Sequence, residues 1–86
     1  MSFSLEYGRQ PRKFLKKYDK HIVKRLLTKI RETLSNNPVS HDAKSMVNAH
    51  GVFRIRIGDF RVLYSVSYQD NEIIVIKIEK RERAYD

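Results

Sequence analysis

The chain opens on an alternation in which Phe3, Leu5 and Tyr7 are separated by Ser4 and Glu6. That period of two is the pattern of a strand with one face buried. Gly8 ends it, and Pro11 suits the first turn of a helix, where its missing N–H costs nothing. A short helix reaching about Tyr18 would bring Phe14, Leu15 and Tyr18 to one side. Asp19 can cap the helix that follows. There Ile22, Val23, Leu26, Leu27, Ile30 and Leu34 fall within an arc of roughly 140°, with Lys24, Arg25, Arg31 and Glu32 opposite. Such a helix must lie on something apolar. Ser35-Asn36-Asn37-Pro38 stops it, because proline disfavours helical geometry in the residue before it.

Residues 38–51 form a polar connection holding one apolar pair, Met46-Val47. After it the period returns to two. Phe53, Ile55 and Ile57 alternate with Arg54 and Arg56, and Gly58-Asp59 turns the chain. Phe60, Val62, Tyr64 and Val66 then alternate with Arg61, Leu63 and Ser65, and Gln69-Asp70-Asn71 makes a second turn into a last strand from Ile73 to Ile78. This predicts a meander of tight hairpins. The order is β-α-α-β-β-β, an α+β fold. Its mainly antiparallel sheet carries two helices packed on one face, since the helical stripe has nowhere else to go.

Composition narrows the function classes. Eighty-six residues, 41% of them hydrophobic, make a single domain over 1–86. No apolar run approaches the ~20 residues that span a bilayer, so no membrane-spanning segment is expected. The start Met-Ser-Phe-Ser-Leu lacks the basic-then-apolar order of a secretion signal. The absence of cysteine excludes disulfides, thiolate catalysis and cysteine metal sites. A cytoplasmic location is the expectation. His21, His41 and His50 have no metal-ligand spacing, so neither a metal nor another cofactor is expected.

The net charge of +8 favours a polyanionic partner, with RNA, DNA, an acidic protein and anionic lipid all allowed. Positions 1–40 hold ten Lys/Arg against three Asp/Glu, and positions 41–86 eight against seven. The first excess reads equally as a solvated helix face. In the second half a basic site must come from placement.

Placement is what the strands supply. Arg54 and Arg56, two residues apart, project from one face, and the tight turn brings Arg61 within reach of them. Three guanidiniums together repel unless an anion joins them, and each offers a planar fork of donors that matches phosphate oxygens. The competing reading is an exposed face balanced by Asp59, Glu72 or Glu79. The ending Glu79-Lys80-Arg81-Glu82-Arg83-Ala84-Tyr85-Asp86 is by itself an ordinary solvated terminus. Tyr85, however, is an aromatic where no core position is expected, four residues after Arg81. Basic residues beside an exposed ring suit single-stranded nucleic acid, phosphates on arginine and a base on the ring.

The order of elements, the segment Phe53-Arg54-Ile55-Arg56-Ile57-Gly58-Asp59-Phe60-Arg61-Val62-Leu63-Tyr64 and the ending Lys80 to Asp86 together resemble the RelE/ParE superfamily of toxins. The resemblance covers essentially the whole chain, and the Arg and Tyr of the ending lean it towards the RelE type. It implies a toxin of a type II toxin–antitoxin system that enters the ribosomal A site and inhibits translation. Such a toxin is a metal-independent endoribonuclease, or mRNA interferase. The ribose 2′-hydroxyl attacks the adjacent phosphate, leaving a 2′,3′-cyclic phosphate and a 5′-hydroxyl.

Carried over by position, Arg54 and Arg56 match a basic pair, usually lysines in the best-known member. Arg61 matches the arginine that steadies the phosphate in the transition state. Arg81 matches the proton donor to the leaving oxygen, and Tyr85 the tyrosine that stacks on the nucleotide. Arg56, Arg61, Arg81 and Tyr85 are thus the expected catalytic residues, with Arg54, Lys80 and Arg83 binding RNA. Arg83 is an alternative donor to Arg81. Arginine at position 56 cannot serve as a general base, as a lysine could; His50 is the one nearby imidazole by sequence. The resemblance also implies two partners, a RelB-type antitoxin and the ribosome with its rRNA and A-site messenger. A non-nuclease ParE-like toxin directed at gyrase, or an inactive RelE relative, is the alternative reading.

Overall fold

The computed structural model describes residues 3–35, 37, 38, 44, 45 and 51–80. Strand β1 (Ser4–Tyr7) leads into helix α1 (Arg9–Leu15) and helix α2 (Lys20–Leu34). A two-residue strand β2 (Lys44–Ser45) precedes the meander of β3 (Val52–Ile57), β4 (Phe60–Ser67) and β5 (Glu72–Lys80). The sheet order is β1-β5-β4-β3-β2. All pairings are antiparallel except β1 with β5, so the fold class is the α+β arrangement the pattern predicts.

Local chemistry accounts for the elements. Asp19 caps α2 by accepting from the His21 backbone N–H at 2.8 Å, satisfying one of the unpaired donors of the first turn. Gly58 takes φ +58° in the β3–β4 turn, a conformation open to glycine at little cost. Leu26, Ile30 and Leu34 of α2 are buried against Ile55, Ile57, Val62, Tyr64, Ile73, Val75 and Ile78 of the sheet. Phe14 and Leu15 of α1 pack on the same cluster. Both helices therefore cover one sheet face. The α1–α2 corner is fixed to the hairpin turn by an aromatic triad, Phe60 meeting Phe14 and Tyr18 edge-on at 6.1 and 5.7 Å between ring centres.

Three details depart from the sequence expectation. Helix α1 ends at Leu15, although Tyr18 still packs against Phe14, the rings tilted by 41°. Strand β2 forms in the polar connection, beside β3. Strand β5 extends to Lys80 and carries a bulge against β4, so that Leu63 pairs with Lys77 but Tyr64 with Val75. Ile76 is the extra residue. The bulge makes two consecutive residues, Ile76 and Lys77, face solvent and reverses the phase of all that follow. Among the described residues no helix is long and apolar enough to cross a membrane.

Candidate nucleic-acid interface

The sheet face away from the helices carries the candidate site. Residues paired across antiparallel strands share a face, and the register defines two rows. In one, Arg56 pairs with Arg61 and Arg61 with Glu79. In the next, Lys44 pairs with Arg54, Arg54 with Leu63 and Leu63 with Lys77. Arg54, Arg56 and Arg61 thus converge on one open surface, joined by two lysines that sequence reasoning missed. Lys44 and Lys77 had no detectable signal, one lying in a segment without alternation and the other displaced by the bulge.

Glu79 is the counter-charge within this group. Its Oε1 lies 3.6 Å from Nη1 of Arg61 and its Oε2 3.6 Å from Nζ of Lys77. The pairs are partly exposed, so each is weak and open to competition from another anion. Charge across the face is graded: Glu6 and Glu72 lie at the β1 side, the cations at the β2–β3–β4 side. Leu63 sits between Arg54 and Lys77, an apolar contact amid cations. A phosphate chain laid on that side would meet arginine forks in consecutive rows.

Lys80 is not part of this surface. Its register partner is Phe60, which packs on the helix side. Lys80 therefore lies on the helix side of the sheet. It stands there at the mouth of a groove of about 590 Å³ between α2 and the β3–β4 hairpin, with Ile22, Leu26, Ile57 and Phe60 as apolar lining and Arg25 and Lys29 among its cations. Of the three arginines only Arg56 borders the same groove. Arg81, Arg83, Tyr85 and His50 lie outside the described residues. Among the described residues no three His, Cys, Asp or Glu side chains gather as metal ligands.

Tyr64, the last residue of the arginine-containing segment, is a core residue. It is fully buried, its hydroxyl donates to the Pro38 carbonyl oxygen at 2.5 Å, and burial pushes its pKa up to about 12. It anchors Pro38 on the helix side of the sheet and has no part in the open face.

Comparison with known proteins follows the same lines. Residues 5–85 match the family described as the ParE toxin of the type II toxin–antitoxin system parDE. A Methanocaldococcus jannaschii protein carrying the name toxin RelE1 is 39% identical over 88 residues, covering 99% of this chain and 97% of that protein. Among solved structures, the archaeal RelE–RelB complex of Pyrococcus horikoshii superposes with TM-score 0.77 at 30% identity, over 98% of this chain and 100% of the other. The RelBE2 toxin–antitoxin complex of Mycobacterium tuberculosis, at 19% identity, gives TM-score 0.81 over 94% of this chain and 93% of that one, a likeness of fold.

Proposed function

The chain belongs to the ParE toxin family of type II toxin–antitoxin systems, and on that premise we propose that it is a RelE-type ribonuclease that cleaves messenger RNA in the ribosomal A site. The observation that carries this reading is the meeting of Arg54, Arg56 and Arg61 on one open sheet face. Two guanidiniums in direct register are mutually repulsive, and a phosphate between them offsets that cost with charge-assisted bonds. In the proposed reaction Arg61 and Arg56 hold the scissile phosphate, where charge grows as the 2′-hydroxyl attacks. Preorganised donors at such a position are worth on the order of 10²–10³ in rate each. Arg54 grips the adjoining phosphate, Arg81 or Arg83 donates to the leaving 5′-oxygen, and Tyr85 stacks on a base. Arginine at position 56 leaves proton abstraction to another group or to water, so positioning and charge supply most of the acceleration.

The proposed setting is cytoplasmic, with two partners. One is the ribosome, whose rRNA the cations on the solvent sides of α1 and α2 would meet. The other is a RelB-type antitoxin, as in the complexes of P. horikoshii and M. tuberculosis. The groove by α2, apolar within and cationic at its edge, suits an acidic amphipathic helix. The family description, which is that of ParE, favours a second reading, a toxin acting by binding gyrase without cleaving RNA. Primer extension on a translated messenger after brief expression separates the two. The nuclease reading expects new stops within codons for the wild-type protein and their loss in Arg81→Ala; no stops with either protein would favour the second.

A further inference from the structure

One side chain outside the open face bears on the end of the chain. Gln10, in the first turn of α1, receives a bond from the Ile78 backbone N–H to its Oε1 at 2.9 Å and donates from Nε2 to the Ile78 carbonyl oxygen at 3.1 Å. The primary amide thereby behaves as a peptide group of a neighbouring strand. Its position explains the need. The β1–β5 ladder runs only to the Tyr7–Val75 pair, followed by Gly8 N–H to the Val75 carbonyl at 2.9 Å. Past that point β1 has become helix, and β5 continues for five more residues with β4 on one side only.

Those five residues begin with the bulge at Ile76. A bulged strand end is where register is least secure, and a slip of one residue would exchange the faces of every residue beyond it. Such a slip would carry Glu79 away from Arg61, to which it is joined at 3.6 Å. Gln10 binds the donor and acceptor of a single residue, Ile78, and so selects one register. Its own sequence distance from that residue, 68 positions, ties the choice to the packing of α1 on β5.

We infer that Gln10 is a positioning residue: its amide, bonded to both polar backbone groups of Ile78, fixes the register of β5 past the bulge and with it the point from which Arg81 and the residues after it continue. This rests on the nuclease reading of the open face. Gln10 touches no RNA and acts only through β5. Loss of its amide shifts the origin of the cationic end while leaving Arg54, Arg56 and the hairpin where they are.

The test is a double-mutant cycle in single-turnover cleavage of a ribosome-bound messenger, with RNA affinity measured in parallel. Gln10→Met, close in length but without the bonds, should slow cleavage on the order of tenfold to a hundredfold, since misplacement by an ångström can cost up to ~10²-fold. Affinity should remain within about twofold. The loss should shrink in an Arg81→Ala background and persist undiminished with Arg54→Ala, because coupling marks residues acting through one another. Faster exchange of the Ile78 amide should accompany it. Should Gln10→Met fail to fold, Gln10→Glu, which keeps the acceptor for Ile78 N–H but not the donor, serves in its place. Equal losses in both backgrounds, or cleavage unaltered by the substitution, would overturn the inference while the nuclease reading stands. A wild-type protein that leaves the messenger intact would overturn both.

Discussion

Arg56 and Arg61 stand directly opposite each other across the β3–β4 hairpin. Like charges so placed destabilise a strand pair, and among the described residues the one carboxylate opposite either of them is Glu79, across from Arg61 on the adjacent strand. The arrangement is understandable as a surface completed by an anion from outside. Its consequences can be measured.

Replacing Arg54 and Arg56 together with alanine should weaken binding of single-stranded RNA and flatten its salt dependence. Each lost phosphate contact removes ~0.7 from the slope of log affinity against log salt, so the pair should remove about 1.4. Titrations at several salt concentrations give the number. An unaltered slope would mean that neither side chain meets phosphate.

Glu79 competes with RNA for Arg61 and Lys77. Glu79→Gln should therefore tighten RNA binding, by about 1 kcal/mol or less given the exposure of these pairs, which is at most roughly fivefold. Its cleavage rate at saturating messenger should stay close to wild type. A large fall in that rate would instead make the carboxylate a participant in proton transfer.

Much of this surface could be read from the chain alone. The spacing of Arg54 and Arg56 and the Gly58-Asp59 turn before Arg61 determine a shared face, because side chains alternate and a tight hairpin fixes register. The run Ile73-Ile74-Val75-Ile76 resisted the same reasoning. It is apolar on both phases, so nothing in it reveals where the bulge falls, and with the bulge goes the facing of Lys77, Glu79 and Lys80. Lys80, expected to bind RNA, faces the helix side of the sheet for that reason. Strand β2 was hidden because Lys44-Ser45 has no alternation and is defined by its pairing with Phe53-Arg54. The Asp19 cap and the α2 stripe were plain, since both are local signals.

Tyr64→Phe should cost about 1 kcal/mol through the lost bond to the Pro38 carbonyl, lowering Tm by roughly 4–8 °C. It should also change the alkaline limb of stability. The Tyr64 hydroxyl is raised from 10.0 to about 12 in the folded protein, chiefly by burial and then by Tyr68. The unfolded chain therefore loses this proton first. Stability from this group is full below pH 10 and is lost as pH rises towards 12. Denaturant titrations of both proteins should show wild type losing its advantage across that interval. A constant difference between them would contradict the burial of an ionisable hydroxyl at this position.

The end groups of the product test the nuclease reading most directly. Purified protein added to ribosomes translating a defined messenger should leave a 2′,3′-cyclic phosphate on the upstream fragment and a 5′-hydroxyl on the downstream one. Arg61→Ala should slow formation of both on the order of 10²-fold or more, through loss of a contact that strengthens in the transition state. Fragments ending in a 3′-hydroxyl would contradict attack by the 2′-oxygen. A messenger left intact by wild-type protein bound to those ribosomes would contradict cleavage itself and leave a toxin that acts by binding alone.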